Sequence, residues 1–367
     1  MSLESYVTEL MKDPHPKGLD GLAACFLECL EGIYLSQAEK KQKKASASAR
    51  SAGLPVISAG NITAGGTGKT PCILSLCEML LEEGYHPAVI SRGYRSGMEK
   101  EGGIVSDGHT VLASQKEAGD EPYMMARKMP SVPILVGKDR FASAERAKKL
   151  GADILLLDDG FQYWSMKRDR DFVLIDCTNP FGYGHGLPRG LLREPMTALG
   201  RASLFILTKS DQVSEGKRKE IRKTLERYAP GVPVISSCHS ADRLVPYGKW
   251  EKRIHEGELV QGKKAFLLSG IGNPKAFERT CGEAGLLCEG SLSFDDHHAY
   301  TAEDLKKAEA LAEEKGADLI VSTEKDAVKL LNLREAGALS VPLYILEIKM
   351  TFPEGLSILQ KQWEDLR

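Results

Sequence analysis

The stretch 54–84, "LPVISAGNITAGGTGKTPCILSLCEMLLEEG", constrains the fold more than any other part of the chain. An apolar run enters a glycine-rich loop, and Gly68, Lys69 and Thr70 open a helix expected over Pro71–Gly84. A strand that passes through glycines straight into a helix belongs to a parallel α/β unit. The pattern G-x-x-x-x-G-K-[ST] is met at Gly68, Lys69 and Thr70, but Thr63 holds its first position, and Gly65 and Gly66 lie inside. The chemistry survives that change. A phosphate needs backbone N–H groups turned toward it, and glycines permit the positive φ this requires. Thr63, Ala64, Gly65, Gly66, Thr67, Gly68, Lys69 and Thr70 therefore form the expected nucleotide cradle. Lys69 would meet the β- and γ-phosphates and the Thr70 hydroxyl a Mg²⁺ ion. The helix adds its positive dipole end, and Pro71 suits a first helical turn.

From residue 54 to about 240 the same alternation continues. Strands are expected at "HPAVISRGY", "GGIVSDG", "VPILVG", "ADILLLDDG", "DFVLIDCT", "ASLFILTKSD" and "VPVISS". Helices are expected at Glu121–Lys128, Phe141–Leu150 and Lys217–Tyr228. The strands are continuous apolar runs, as a parallel sheet buried on both faces demands. The fold class is therefore α/β: a doubly wound, mostly parallel sheet of the P-loop NTPase kind, with right-handed crossovers. A second, smaller α/β block begins near residue 260, with strands at "KKAFLLSGIG", "EGSLSF" and "ADLIVSTEKD". Its helix "TAEDLKKAEALAEEKG" has Thr301 as N-cap and Asp304 in a variant capping box. The expected division is 1–50, 51–258, 259–349 and a tail, 350–367, that returns toward the core.

The N-terminal part carries Leu22, Phe26, Leu30 and Tyr34 at helical spacing, widened by Leu27, Ile33 and Leu35, and Lys40, Lys41, Lys43 and Lys44 follow. Such an amphipathic helix with a basic end either packs on the core or lies in an anionic membrane interface. "KKASASARSAG" reads as a flexible connector after it. The start of the chain lacks the pattern of a signal peptide, and no run of 18 apolar residues exists to span a bilayer. A net charge of −2 gives no global basic footprint for nucleic acid. Eight cysteines without a C-x-x-C pair argue against a zinc ribbon and fit a reducing compartment.

Other motifs supply polar groups at strand ends. "ILLLDDGFQ" places Asp158 and Asp159 after a buried strand, the Walker B arrangement that holds Mg²⁺ directly or through water. "TKSD", Thr208–Asp211, is either a strand-end turn or a variant of the base-reading motif of GTPases. "GDEP" offers Asp120 and Glu121 at a helix start, with Asp120 as N-cap, as general base or beside a metal. "FDDHHAYT" concentrates Asp295, Asp296, His297 and His298 before a helix, and a carboxylate–histidine contact there would relay a proton. Arg92, Arg140, Arg189 and Arg193 are candidates for phosphate charge or for surface ion pairs.

In this order, "GNITAGGTGKTP", "SRGYRS", "GDEP", "DDGFQ", "LPRGLLREP", "FDDHHAYT" and "STEKDAVK" resemble the tetraacyldisaccharide 4′-kinase family over about residues 15–350. The resemblance implies ATP- and Mg²⁺-dependent phosphorylation of the 4′-hydroxyl of a tetraacylated glucosamine disaccharide 1-phosphate. It places the enzyme at the cytoplasmic face of the inner membrane of Gram-negative bacteria, peripheral or monotopic, with a membrane-facing N-terminal helix. Its phosphate loop has the same form without the first glycine. It implies a dyad of Asp120 and His297 that deprotonates the sugar hydroxyl, with Asp296 in support. Asp158 and Asp159 would lie at the metal, and Glu121, Arg140, Gln162, Arg193 and Glu194 near phosphates or substrate. Neither nucleic acid nor an obligate protein partner is implied. The family fold joins a P-loop core to a smaller domain by two strands. Tyr163 stands where the family usually has histidine, and Glu28 and Glu31 interrupt the N-terminal helix, which favours an interfacial over a spanning position. The rival readings are a GTPase-type switch or metallochaperone, resting on "TKSD", and a noncatalytic membrane-associated nucleotide-binding module.

Overall fold

Strand formation follows the apolar runs. The computed structural model describes residues 3–296 and 298–366, with the side chains of residues 3 and 4 left aside. Its strands are β1 (Val56–Gly60), β2 (Pro87–Ser91), β3 (Gly103–Asp107), β4 (Pro133–Val136), β5 (Ile154–Asp158) and β6 (Arg170–Asp176). They continue with β7 (Leu204–Thr208), β8 (Val234–Pro246), β9 (Lys264–Ser269), β10 (Leu287–Ser293), β11 (Leu319–Thr323) and β12 (Leu343–Glu354). The chain divides into two compact units, Met1–Val89 with Gly151–Cys238 and Phe352–Arg367, and Ile90–Leu150 with His239–Thr351.

In the first unit the strand order is β8-β7-β6-β1-β5-β2. β8 with β7, β7 with β6, β6 with β1 and β1 with β5 all pair in parallel. β1, β5 and β7 are buried along their whole length, the burial that their continuous apolar sequences anticipate. From β1 the chain goes to one side for β2 and, after β5, to the other side for β6. The strand order thus reverses at β1, the position where open α/β sheets place a ligand crevice at the carboxyl ends of their strands. Ile62, Phe161, Val173, Leu192, Phe205 and Leu225 form part of the core beneath that end.

The second unit carries β10-β9-β11-β12, parallel throughout, and the antiparallel pair β3 and β4. Residues 90–150, which the sequence reading groups with the phosphate loop, are part of this unit. The reason is packing. Helix Asp120–Lys128 lies against helix Glu324–Leu330, and Met124 enters a core with Trp250, Phe266, Leu268, Leu305 and Ile320. Lys128 Nζ donates to both Glu324 carboxylate oxygens at 2.9 and 3.0 Å and to the Ile348 carbonyl at 2.9 Å. Burial pushes the Glu324 carboxyl above its ordinary range, and Lys128 opposes that rise.

Two local expectations change. "STEKD" is not strand to its end: β11 stops at Thr323, whose hydroxyl accepts from the Asp326 N–H at 3.1 Å and starts a helix at Glu324. "KKASA" is not a connector but the last turns of helix Gly18–Ala47, since its alanines and lysines are good helix formers. The Thr301–Asp304 capping box forms as expected.

Candidate active site

At the carboxyl end of β1 the main chain supplies the cradle. Gly65 and Gly68 sit at φ +109° and +86°, where an L side chain is strained, and Gly65 and Gly66 are exposed at the loop tip. Helix Lys69–Glu82 begins on the loop, so its first N–H groups face the position a phosphate takes. Asn61 steadies the loop, its Nδ2 donating to the Thr63 carbonyl at 2.7 Å. Lys69 Nζ donates to Asn61 Oδ1 at 3.3 Å and lies 3.7 Å from Asp159 Oδ1.

β5 runs beside β1 with Asp158 in register with Ala59, so its terminal carboxylates reach the same end of the sheet. Asp158 is buried, and Asp159 follows it at φ +48°. Arg193 Nη1 bonds both Asp159 oxygens at 3.0 and 3.1 Å. Asp159 thus has two cations beside it, Lys69 and Arg193. Gln162 Nε2 donates to the Asn61 carbonyl at 2.9 Å and to Glu194 Oε1 at 2.8 Å. Glu194 is buried and paired with Arg201 at 2.8 Å, which turns it toward the protein and makes it a brace for Gln162. At the end of β7, Lys209 Nζ reaches the Gly66 carbonyl at 3.5 Å and pairs with Asp176.

The second unit holds the other expected groups. Asp120 does not cap its helix: Gly119 occupies that place, Asp120 is the first helical residue, and Gln115 Nε2 donates to its Oδ1 at 2.5 Å. Lys325, on the neighbouring helix, stands 3.7 Å from Glu121 and 3.2 Å from Asp296, so these two carboxylates are brought together around one ammonium. His297 lies outside the described residues. His298 stacks on Phe294 with ring centroids 4.1 Å apart, and its Nε2 is 3.1 Å from Asp304 Oδ2. Hydrogen bonds from His298 and Thr301 hold the Asp304 carboxyl below its ordinary range although burial works the other way. Arg140 is buried at the first position of its helix.

Of the sequence candidates, Thr63–Thr70, Asp158, Asp159, Gln162, Arg193 and Glu194 belong to the first unit. Asp120, Glu121, Arg140 and Asp296 belong to the second. Arg189 is no phosphate ligand here: it is fully buried and donates to the carbonyls of Leu10 and Asp13. Lys325 lies in the "STEKDAVK" stretch, but its role is not legible there because its partners Glu121 and Asp296 lie 204 and 29 residues away (325 − 121 and 325 − 296). Arg201 lies outside every motif, and Asn61, although beside the phosphate loop, shows its bracing role only through its hydrogen bonds.

A family profile, Tetraacyldisaccharide-1-P 4'-kinase, matches residues 23–363. The chain belongs to this family. The Tetraacyldisaccharide 4'-kinase of Halothermothrix orenii is 38% identical over 377 residues, covering 98% of this chain and 97% of its own length. That of Anaeromyxobacter sp. is 43% identical over 286 residues, covering 78% and 76%. Among solved structures, the "apo" form of LpxK from Aquifex aeolicus in complex with ATP superposes with a TM-score of 0.73 at 24% identity, covering 94% of this chain and 99% of that one. At that identity the likeness speaks for the kinase fold alone.

Proposed function

We propose that this chain transfers the γ-phosphoryl group of ATP to the 4′-hydroxyl of a tetraacylated glucosamine disaccharide 1-phosphate, the precursor in lipid A synthesis. One observation carries the reading: a glycine cradle with Lys69 and Thr70 at the end of β1, and Asp158 and Asp159 at the end of the adjoining parallel strand. Phosphoryl transfer needs positioning and charge stabilisation more than covalent help. The loop amides and Lys69 hold the triphosphate, and Lys69 spreads the charge that develops on the moving group.

The donor set fits Mg²⁺. The Thr70 hydroxyl and the Asp158 carboxylate are hard oxygen donors, both buried at the ends of neighbouring elements. Among the described residues no three His, Cys, Asp or Glu side chains make a complete protein-only site. Mg²⁺ commonly takes one or two carboxylates and fills its octahedron with phosphate oxygens and water. Held by these two groups, the ion would neutralise charge on the triphosphate. Asp159 orients Lys69 and Arg193 in the same place.

On the acceptor side, Asp120 takes the proton of the sugar hydroxyl, with His297 as its partner from the family pattern. Glu121 and Asp296, held on Lys325, fix the walls around it. The N-terminal helix seats the enzyme on the membrane. Leu19, Leu22, Phe26 and Ile33 are exposed at 82%, 71%, 63% and 56% on one helical stripe, whereas Ala24, Leu27, Glu31, Tyr34 and Leu35 turn inward. Lys40–Lys44 suit an anionic lipid surface at the cytoplasmic face. Among the described residues no helix is long and apolar enough to cross a membrane, in keeping with an interfacial seat.

The test is purified protein with Mg²⁺-ATP and the lipid disaccharide 1-phosphate. Mass spectrometry is expected to find the 4′-phosphorylated product, and its absence would overturn the assignment. GTP supporting the reaction as well as ATP would instead favour a guanine-reading role for Thr208–Asp211. Phe26→Ser is expected to weaken binding to anionic vesicles. Undiminished flotation with vesicles would remove the helix from the membrane reading.

A further inference from the structure

The inward face of helix Gly18–Ala47 grips a loop that in turn holds the phosphate cradle. Glu31 is the centre of the grip. Its Oε1 accepts the Gly186 N–H at 2.5 Å and its Oε2 lies 3.0 Å from His185 Nδ1. Three residues further along the loop, Arg189 is 1% exposed and reaches back to the N-terminal helices. Its Nη1 donates to the Leu10 carbonyl at 3.1 Å, its Nη2 to the Asp13 carbonyl at 3.0 Å, and its Nε is 3.5 Å from Glu28. Glu28 and Glu31, which read as breaks in an apolar helix, therefore have partners on the protein side.

The loop has little slack. A Cβ on Gly190 would stand 2.4 Å from the His185 carbonyl oxygen, and one on Gly186 would stand 2.9 Å from the Leu35 side chain. The Gly190 N–H also bonds the Gly186 carbonyl at 2.8 Å. On its other side the loop is hydrogen-bonded to the cradle. The Ala64 N–H bonds the Leu191 carbonyl and the Arg193 N–H bonds the Ile62 carbonyl, both at 2.7 Å, and Thr63 bridges Leu192. Arg193 then carries its side chain to Asp159. The route from helix to phosphate site is main chain nearly throughout, so a displacement at one end reaches the other.

We infer that Glu31 and Arg189 are positioning residues for ATP: through the loop 182–193 they set the phosphate cradle and Arg193, and the N-terminal helices thereby support catalysis as well as membrane seating. The inference rests on the reading of residues 63–70 as the ATP cradle. A carboxylate that accepts a backbone N–H makes a charge-assisted bond, and a buried guanidinium on two carbonyls has a fork geometry that lysine cannot reproduce.

The experiment uses the full-length enzyme and separates KM from kcat. Wild-type protein is first titrated with Mg²⁺-ATP; failure to bind would overturn the cradle itself and the inference with it. Glu31→Ala and Arg189→Lys are then expected to lower kcat/KM for ATP about tenfold, the loss expected for a hydrogen bond to a charged group. The KM for the lipid acceptor is expected to stay within about twofold, the scatter of changes that touch no lipid contact. Glu31→Gln, which keeps an oxygen for the Gly186 N–H, is expected to recover most of the loss. A merely structural role would lower the melting temperature and the active fraction while leaving KM for ATP unchanged. Unchanged KM for ATP in both variants would overturn the inference. Should Glu31→Ala fail to fold, Glu31→Asp, with the carboxylate withdrawn by one methylene, decides the matter on the same KM criterion.

Discussion

Around Lys69 the geometry is made by the main chain; around Asp120 it is made by side chains. The cradle follows from a strand end, two glycines at positive φ and a helix start, and Asp158 stands beside it because β5 pairs with β1 in register. Glu121 and Asp296 come together because one lysine on a third segment stands near both, and because Met124 anchors the helix that carries Asp120. Backbone-built sites tolerate little but are specified locally. Sites built from side chains depend on the packing of distant segments and can be loosened one contact at a time.

The sharpest test of that contrast is the pair Asp120→Asn and Lys69→Ala. Asp120→Asn is expected to lower kcat by about 10²–10⁴-fold, the range for removing a general base, with ATP affinity nearly unchanged. Lys69→Ala is expected to lower kcat by a similar factor and to weaken ATP as well, since the lysine serves both ground and transition states. Steady-state kinetics with ATP titrations measures both; equal losses of ATP affinity would erase the division of labour. Next in size is Met124→Ala. Truncating this buried methionine is expected to destabilise the protein by about 2–5 kcal/mol in chemical denaturation, because the helix bearing Asp120 loses its anchor. A loss under about 0.5 kcal/mol would mean that the anchor lies elsewhere. The smallest effect belongs to Lys325→Ala. Its two partly exposed ion pairs are worth about 1 kcal/mol at most, so turnover is expected to fall about fivefold, more at low salt than at high, and Lys325→Arg to restore it. Unaltered turnover at low salt would show that Glu121 and Asp296 hold their places without it.

Legibility in the sequence follows the same line. The strands β1, β5 and β7 are readable because a run buried on both faces must be apolar at every position. The cradle is readable because its glycines, lysine and threonine are contiguous. The helix at Glu324 is not, since a cap by Thr323 looks like the continuation of a strand. Glu31 reads as a flaw in an apolar stripe until the loop that it holds is seen. The grouping of residues 90–150 with the second unit is equally hidden, because it depends on which core Met124 enters.

The sequence alone therefore determined the parallel α/β class, the phosphate loop and the order of motifs that marks the family, all carried by local periodicity and contiguous residues. Only the tertiary structure decided that Lys325 joins Glu121 to Asp296, that Arg189 serves the N-terminal helices and that Glu31 faces the protein. Charge and hydrogen-bond partnerships between residues tens to hundreds of positions apart are set by which elements pack together, and that choice of neighbour, unlike burial itself, leaves no periodic trace in the chain.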